Sequence, residues 1–373
     1  MKKLAIIGAG YLQLPLVQKA KEMGIQTYCF AWAEGAVCKD ECDFFYNIST
    51  LEKDKILEKC HEIGIDGIIT IASDIAVPTV CYVAGKLGLI GNSFNDSLAS
   101  TNKYFMRQSF ITNGVSSPAF YIVKSIENVP INDLYFPLIV KPTDRSGSRG
   151  VTKVDKNEQL MQAVERALSE SISNSAIIEE YINGAEVSVE TISWEGTHYI
   201  LAITDKVTTG EPYFVEIEHH QPSNLAVEIQ SKIKSEAKKA LNALNFKYGA
   251  AHSEFKITND NKVVAIEVGA RMGGDFIGSD LVQLSTGYDF VKGVINISLG
   301  NFEEPIINEN KYSGVYFLYK ETRHILPIIK NSAKYSEIVA AGITDNELHA
   351  IQCSADRSGF FIYQSEKRFK INN

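Results

Sequence analysis

Two glutamates that could share a metal ion lie in residues 250–275, AAHSEFKITNDNKVVAIEVGARMGGD. The pattern predicts two strands joined by a polar turn at residues 258–261. With that turn Glu254 faces Ala265, and Glu267 is a diagonal neighbour of Glu254 on the same face. Carboxylates about 5 to 8 Å apart repel each other unless a positive charge lies between them. The arrangement predicts Mg²⁺, which prefers oxygen ligands and keeps positions free for phosphate.

Three residues with a distinct chemistry follow the second glutamate. Arg271 is a permanent cation with a bidentate fork, and Gly273 and Gly274 allow the backbone to approach a ligand closely. The alternative interpretation is a solvent-facing hairpin with two unrelated glutamates. The other motifs of the chain have to decide between these two interpretations.

A loop rich in small residues follows a strand that ends at Lys141. The loop reads DRSGSRG over residues 144–150, and its small residues are Ser146, Gly147, Ser148 and Gly150. Backbone N–H groups of such a loop can surround phosphate oxygens, and Lys141 adds a point charge. It is not a P-loop, because no Gly-Lys-Ser/Thr follows. The alternative is an ordinary hairpin turn with a surface lysine.

A further hairpin is predicted in residues 177–192, IIEEYINGAEVSVETI. The segment from Glu179 through Glu180 to Ile182 can present backbone N–H and C=O groups to the edge of an adenine. Glu186, at the start of the second strand, can reach ribose hydroxyls. A plain hairpin with an exposed acidic face is the alternative.

Asp74 and His220 are candidates for contacts to a substrate. Asp74 follows the carboxyl end of an apolar strand, where α/β sheets bind ligands, although a helix N-cap is the alternative. Strand alternation in residues 214–222, FVEIEHHQP, places Glu216, Glu218 and His220 on one face. Adjacent histidines suggest zinc, but further ligands at a suitable spacing are missing. His220 is therefore either a substrate contact or a structural residue.

Alternating strands and helices up to about residue 95 predict a parallel α/β domain at the N-terminus. The glycines of MKKLAIIGAG begin a dinucleotide fingerprint, but Gln13 stands where its third glycine belongs, and no acidic residue closes the second strand. A nicotinamide nucleotide is therefore not expected. Residues 92–101 are polar and resemble a linker. The helix after them carries Lys103 and Arg107 one turn apart on one face.

The composition of the chain is that of a globular protein of several domains. The 373 residues are 45% apolar and 22% charged, and the net charge is −8. This charge gives no support to nucleic-acid binding, and no apolar run is long enough for a membrane. The six cysteines lack zinc spacing, which predicts reduced thiols in a cytoplasmic protein. No chemistry-bearing spacing is visible beyond about residue 305.

Taken in order, these features resemble the ATP-grasp superfamily of carboxylate–amine ligases from residue 1 to about residue 300. The resemblance is greatest to the L-amino-acid ligases and the carbamoyl-phosphate-synthase-like group. It implies an α/β, ATP-grasp architecture with four parts. These are an N-terminal parallel α/β (pre-ATP-grasp) domain at residues 1–100, an α+β lid at 101–187, a central ATP-grasp sheet with the metal site at 188–300, and a small β-rich subdomain at 301–373.

The resemblance also implies a role for each motif. Glu179 corresponds to the residue near the adenine amino group, and Glu186 to the ribose contact. The residues that it assigns to the nucleotide are Lys103, Lys141, Ser146, Gly147, Ser148, Gly150, Glu179, Glu180, Ile182 and Glu186. Gly269 stands where the family often has asparagine, which leaves a third metal-side ligand in doubt.

Glu254 and Glu267 correspond to the family's magnesium ligands. Arg271, with Lys141, is the expected catalytic residue, acting on the reacting carboxylate or the transferred phosphate. The candidates for substrate contacts are Asp74, His220, Arg271, Gly273 and Gly274.

The activity implied by the resemblance uses ATP and Mg²⁺ and joins a small carboxylate, most simply of an amino acid, to an amine. The carboxylate becomes an acyl phosphate, and ADP and phosphate are released. A bicarbonate-using carboxylase or carbamoyl-phosphate-type enzyme and a non-catalytic ATP-binding regulator are the alternatives. The implied partners are small molecules, with no nucleic acid and no membrane, and a homodimer is compatible with the sequence.

Overall fold

The chain folds into three β-sheets with helices packed against them. The coordinates are a computed structural model, which describes residues 1–371. One sheet is parallel, and the other two are antiparallel. None of the helices within residues 1–371 combines the length and the apolar character that crossing a membrane requires.

The first sheet, called the N-terminal sheet, confirms the predicted parallel α/β domain. Its strand order is β3-β2-β1-β4. The elements are β1 (Lys3–Ile7), α1 (Leu14–Glu22), β2 (Gln26–Ala31), β3 (Phe44–Asn47), α2 (Lys53–Ile63), β4 (Gly67–Ile69) and α3 (Val77–Leu87). β1 is apolar and buried from Leu4 to Ile7, and β4 is buried over its whole length, as is typical of a parallel sheet covered by helices.

Gln13, which replaces the third glycine of the dinucleotide fingerprint, has a structural role. Its buried side-chain amide donates to the carbonyl of Ile71 and accepts from the N–H of the same residue at 3.1 Å. The side chain thereby ties the turn after β1 to the chain that leaves β4. This use of the amide agrees with the expectation that the turn does not bind a nicotinamide nucleotide.

Residues 92–101 are not the linker that their polarity suggested. They contain α4 (Phe94–Thr101), and α5 (Lys103–Thr112) follows directly. The Ser93 hydroxyl caps α4 by accepting the N–H of Asp96 at 3.1 Å. A polar segment with a good N-cap can thus be a helix when tertiary packing covers its less polar face.

The second sheet, called the lid sheet, has the strand order β5-β8-β6-β7. Its elements are β5 (Phe120–Val123), β6 (Leu138–Pro142), β7 (Thr152–Val154), α6 (Asn157–Glu170) and β8 (Ala176–Glu180). The loop of residues 143–151 joins β6 to β7, which pair in antiparallel fashion. The small residues noted in the sequence therefore form a connection between two strands, as expected.

The third sheet, called the central sheet, has eight strands in the order β13-β12-β9-β10-β11-β14-β16-β15. Its elements up to residue 300 are β9 (Ala185–Trp194), β10 (Thr197–Thr208), β11 (Glu216–Gln221), α7 (Val227–Ala243), β12 (Gly249–Ile257), β13 (Val263–Gly269), α8 (Val282–Thr286) and α9 (Phe290–Ser298). The helix α7 covers one face with Ile233, Ala237 and Leu241, which lie in one apolar cluster with Val189 and Phe255. The boundary expected at residue 187 falls inside β9.

The C-terminal region continues the central sheet. Its elements are β14 (Tyr312–Leu318), α10 (Leu326–Lys330), β15 (Ile338–Ile343) and β16 (Gly359–Ser365). β14 pairs with β11, so the described part of this region, residues 301–371, is β-rich and shares a sheet with the preceding region. This continuity brings C-terminal side chains close to β11.

Candidate active site

The main cleft lies between the lid sheet and the central sheet. It encloses about 1150 Å³, including space open to solvent, which is sufficient for a nucleotide. Predicted site residues that line it are Lys103, Lys141, Ser146, Gly147, Ser148, Glu179, Glu180, Ile182, Glu186, Glu254, Glu267 and Arg271. Motifs separated by more than 160 residues thus meet at one place. Gly150, Asp74, His220, Gly273 and Gly274 lie outside its lining.

The glutamate pair is closer than the predicted register allowed. Phe255 pairs with Ala265, and a β-bulge then shifts the register so that Glu254 stands directly opposite Glu267. The expected pairing of Glu254 with Ala265 is therefore wrong, because one extra residue in β13 is left unpaired at the bulge. The bulge places both carboxylates side by side at the wall of the main cleft.

Two buried lysines contact this carboxylate pair. Lys103 lies 3.1 Å from Glu267, and Lys206 lies 2.7 Å from Glu254. Lys206 also contacts Glu186 at 3.1 Å and Glu216 at 3.3 Å. Burial alone would raise the pKa of Glu254, but the charge of Lys206 holds this pKa well below its usual range. Both glutamates remain about a quarter exposed, so their outer oxygens face the cleft.

The donor set of the pair fits Mg²⁺. Both ligands are carboxylates, and two carboxylates supplemented by water and substrate phosphates are a common Mg²⁺ environment. Within residues 1–371 no group of three or more His, Cys, Asp or Glu side chains is placed to hold a metal. Glu254 and Glu267 would therefore bind the ion only together with oxygens that ATP and water supply.

Glu179 is held between two cations at the wall of the main cleft. Its carboxylate contacts Arg107 at 2.8 Å and Lys141 at 2.7 Å, and all three side chains are buried. Burial opposes ionisation, but the two cations lower the pKa of Glu179. The side chain thus fixes Lys141 at the cleft. Glu186 is similarly paired, with Lys206 and with Lys256 at 2.9 Å.

The glycine-rich loop is anchored at one end and open at the other. Asp144 accepts from the N–H of Ser173 at 2.7 Å, and Lys103 donates to the carbonyl of Arg145 at 2.8 Å. Beyond these anchors Gly147 and Gly150 have φ values of 68°, which favour glycine. The exposed part of the loop is Ser146, Gly147 and Arg149, and motion of this part over a ligand stays a prediction.

Nucleotide binding is expected to protect this loop from trypsin. Arg149 is exposed and lines the main cleft, so a nucleotide that orders the loop would hide the bond after it. Cleavage after Arg145 and Arg149 should slow at least fivefold with ATP and Mg²⁺. Cleavage after Arg323, which is exposed and outside the cleft, should not change. Equal cleavage of the loop with and without nucleotide would contradict a moving loop.

Arg271 and Asp74 form a bidentate ion pair. Arg271 Nε lies 2.9 Å and Nη2 2.8 Å from the two carboxylate oxygens of Asp74, and both side chains are at least 84% buried. The pair lowers the pKa of Asp74 against the effect of burial. Asp74 is therefore not the N-cap of a helix, and it does not line the main cleft. It joins the N-terminal domain to the arginine of the site.

The ion pair explains the glycine at position 269. A Cβ atom there would lie 2.7 Å from Asp74 Oδ1 and 3.1 Å from the Arg271 guanidinium carbon. The asparagine that the family often has here would collide with both groups. Glycine at position 269 thus leaves room for Asp74. The carboxylate of Asp74 holds Arg271 at the place where the family's asparagine side chain would lie.

Removal of Asp74 is expected to destabilise the protein and to weaken carboxylate binding. Asp74→Ala leaves Arg271 largely buried without its partner, which costs about 3 kcal/mol of unfolding free energy. Urea unfolding measures this loss, and the KM for the carboxylate substrate should rise at least tenfold while that for ATP changes little. Asp54→Ala is the control, since Asp54 is a 73% exposed carboxylate of the same domain. Equal effects of both variants would contradict the role of Asp74.

Gly273 and Gly274 differ in what they accommodate. A Cβ at Gly273 would lie 2.8 Å from Glu190 and from His252, whereas the nearest contact at Gly274 would be 3.9 Å away. The N–H of Gly273 donates to Glu190 at 2.9 Å. Gly273 thus permits close packing against buried protein groups, and not the approach to a ligand that the sequence suggested.

His220 does not face the site. It is buried beside Tyr316 and Tyr363 and hydrogen-bonds to Glu218 at 2.9 Å. A bulge in β11, where Thr208 pairs with Glu216 and Val207 with Glu218, also turns Glu216 to the opposite face. The predictions of a substrate contact and of one shared face are therefore wrong.

The histidine at the site is His252. One ring nitrogen contacts the fully buried Glu190, and the other lies 3.1 Å from Glu254. The two carboxylates outweigh burial and raise its pKa to about 9. His252 is thus a protonated support of Glu254. In the sequence, His252 is visible only as a single histidine in an apolar strand.

The C-terminal region also contributes to the wall. Arg357 lies 2.8 Å from Asp275, and its guanidinium donates to the carbonyl of Glu216 at 2.7 Å. Glu216 lines the main cleft. The spacing of residues beyond about 305 gave no sign of this contact, which arises because β16 and β11 are brought together through β14.

A family model matches the part of the chain that contains most of the site residues. Residues 134–280 match the family model described as ATP-grasp domain. This part of the chain is similar to an ATP-grasp domain. The matched range contains the loop, the paired strands of the glutamates and Arg271.

Ligases are found among its relatives in sequence. Alanine–anticapsin ligase of Bacillus subtilis (strain 168) is 27% identical over 263 residues, which cover 62% of this chain and 55% of the relative. D-alanine–D-alanine ligase of Flavobacterium psychrophilum is 33% identical over 132 residues, 34% of this chain and 39% of the relative. The chain thus matches little more than half the length of the former relative.

Solved structures resemble the fold over nearly the whole chain. L-amino acid ligase from Bacillus licheniformis has a TM-score of 0.81 at 22% identity and covers 99% of this chain and 94% of its own. Phosphoribosylglycinamide synthetase from Anaerococcus prevotii has a TM-score of 0.77 at 22% identity, with coverages of 98% and 95%. At these identities the likeness concerns the fold.

Proposed function

We propose that the protein is an ATP-dependent ligase that joins a small organic carboxylate, most simply of an amino acid, to an amine. The observation that carries the proposal is the position of Arg271 in the wall that also holds Glu254 and Glu267. A guanidinium can hold a carboxylate in bidentate fashion beside the phosphates that the other residues bind. Ligases among the relatives support this proposal.

The nucleotide is proposed to lie in the main cleft. The backbone of Glu180 and Ile182 would contact the adenine, and Glu186 the ribose. Lys103, Lys141 and the loop would surround the phosphates. Mg²⁺ held by Glu254 and Glu267 would neutralise part of the negative charge of the phosphates. Lys103 and Lys141 are both buried at the cleft, so their charges act in a region with little screening by water.

The proposed reaction has two displacements. An oxygen of the substrate carboxylate attacks the γ-phosphorus of ATP, and ADP leaves. The nitrogen of a deprotonated amine then attacks the acyl carbon and displaces phosphate, so an amide, ADP and phosphate are the products. Closure of residues 146–150 would exclude water from the acyl phosphate. No side-chain nucleophile is required in this sequence.

Stimulated ADP release tests the proposal. Purified protein with ATP and Mg²⁺ is supplied with each amino acid singly, with pairs of amino acids, and with bicarbonate. We expect ADP release to rise at least tenfold with particular amino acids. Stimulation by bicarbonate alone would replace the ligase by a carboxylase. Absence of stimulation by every compound would favour an ATP-binding regulator.

A further inference from the structure

A second cleft, called the apolar cleft, lies between the N-terminal sheet and the central sheet. It encloses about 570 Å³, including space open to solvent. The end of β4, α3, the start of β12 and α9 form its walls. The apolar residues that carry the argument are Ile71, Val77, Cys81, Ala250, Val294 and Ile297.

Three polar side chains in the walls, those of Thr70, Asn92 and Ser298, are engaged within the protein. The Asn92 amide donates to the carbonyl of Tyr248 at 2.8 Å and accepts its N–H at 3.0 Å. The hydroxyl of Thr70 donates to a backbone carbonyl at 2.7 Å, and that of Ser298 does so at 2.8 Å. These three groups therefore offer little hydrogen bonding to a ligand, and most of the other lining side chains are apolar.

Arg271 is the exception, and it lines both clefts. Its guanidinium has five N–H bonds. Two of them go to Asp74, and one goes from Nη1 to the carbonyl of Met272 at 3.1 Å. Two N–H bonds remain after these contacts. The apolar cleft thus consists of apolar walls with one cation at the end that borders the main cleft.

We propose that the apolar cleft binds the side chain of the carboxylate substrate while Arg271 holds its carboxylate. This inference rests on the proposed function and specifies its substrate class, a carboxylate with an apolar side chain. An acidic or amide side chain would lose its hydration without gaining hydrogen bonds in these walls. Each methylene transferred from water into the cleft should improve binding about fourfold.

The first test measures kcat/KM for ADP release with alanine, leucine and aspartate. We expect leucine to exceed alanine at least tenfold and aspartate to be the poorest of the three. A preference for aspartate, or equal values for alanine and leucine, would overturn the inference while leaving the ligase proposal standing. Failure of all carboxylates to release ADP would instead count against the ligase proposal.

A second test keeps binding separate from turnover. Calorimetry measures binding of leucine and alanine to protein loaded with Mg²⁺ and a non-hydrolysable ATP analogue. Cys81→Leu and Ala250→Leu fill the cleft from opposite walls, and each should lower the leucine-to-alanine ratio of affinities at least tenfold. Cys60→Leu is the matched control, because Cys60 is equally buried in the same domain but does not line the cleft.

The outcome of this test is decisive in either direction. The control should keep the ratio of the unchanged protein. An unchanged ratio in both cleft variants, with thermal stability and analogue affinity preserved, would show that the side chain binds elsewhere. The same comparison holds if the protein binds leucine without turning it over, so the cleft is judged independently of the reaction.

Discussion

Glu267→Gln should lower ADP formation by about a thousandfold while the fold persists. The substitution removes one of two negative charges that stand opposite each other and would hold Mg²⁺. The amide oxygen can still accept from Lys103, and the side chain is only partly buried, so unfolding should be little affected. Steady-state ADP release at ordinary Mg²⁺ concentration, together with thermal unfolding, measures both effects.

Glu218→Gln is the matched control for this variant. Glu218 also lies in the central sheet, contacts a histidine and is about as exposed as Glu267, but it is outside the main cleft. It should retain more than half of the activity. Activity of Glu267→Gln equal to that of the unchanged protein would remove the glutamate pair from the metal site.

Arg271→Lys should lower kcat/KM for the carboxylate substrate by about a hundredfold or more. Lysine keeps the positive charge but cannot hold a carboxylate and Asp74 in two bidentate contacts at once. The affinity for ATP should change little, because in the proposed arrangement Lys103, Lys141 and the loop would provide the other phosphate contacts. Initial rates over a range of carboxylate concentrations separate KM from kcat.

Lys256→Arg is the control for an altered cation in the main cleft. Lys256 lines the cleft and pairs with Glu186, on the side assigned to the ribose. It should affect the KM for ATP more than that for the carboxylate. If Arg271→Lys changed only the KM for ATP and left the KM for the carboxylate unchanged, the assignment of Arg271 to the carboxylate would be contradicted.

Local patterns were sufficient for the parts of the site that lie on single elements. Apolar runs and turn residues predicted the parallel domain, the loop after Lys141 and the hairpin of Glu254 and Glu267. Short-range patterns do not contain bulges, so the register of this hairpin was wrong. The same limitation misplaced Glu216 relative to Glu218.

Sequence reasoning missed the contacts between segments that are distant along the chain. Asp74 and Arg271 are 197 positions apart, and their pairing depends on how the N-terminal sheet docks against the central sheet. Lys206 and His252 appear in the sequence as ordinary strand residues, and only the sheet order brings them to Glu254. Arg357 likewise depends on the C-terminal strands joining the central sheet.

Capture of the activated carboxylate by hydroxylamine tests the central claim most directly. Hydroxylamine converts an acyl phosphate into a stable hydroxamate. With ATP, Mg²⁺ and leucine we expect a hydroxamate to accumulate in step with ADP, and Arg271→Ala should lose both. ADP formation that requires bicarbonate, with no hydroxamate from any amino acid, would contradict the account.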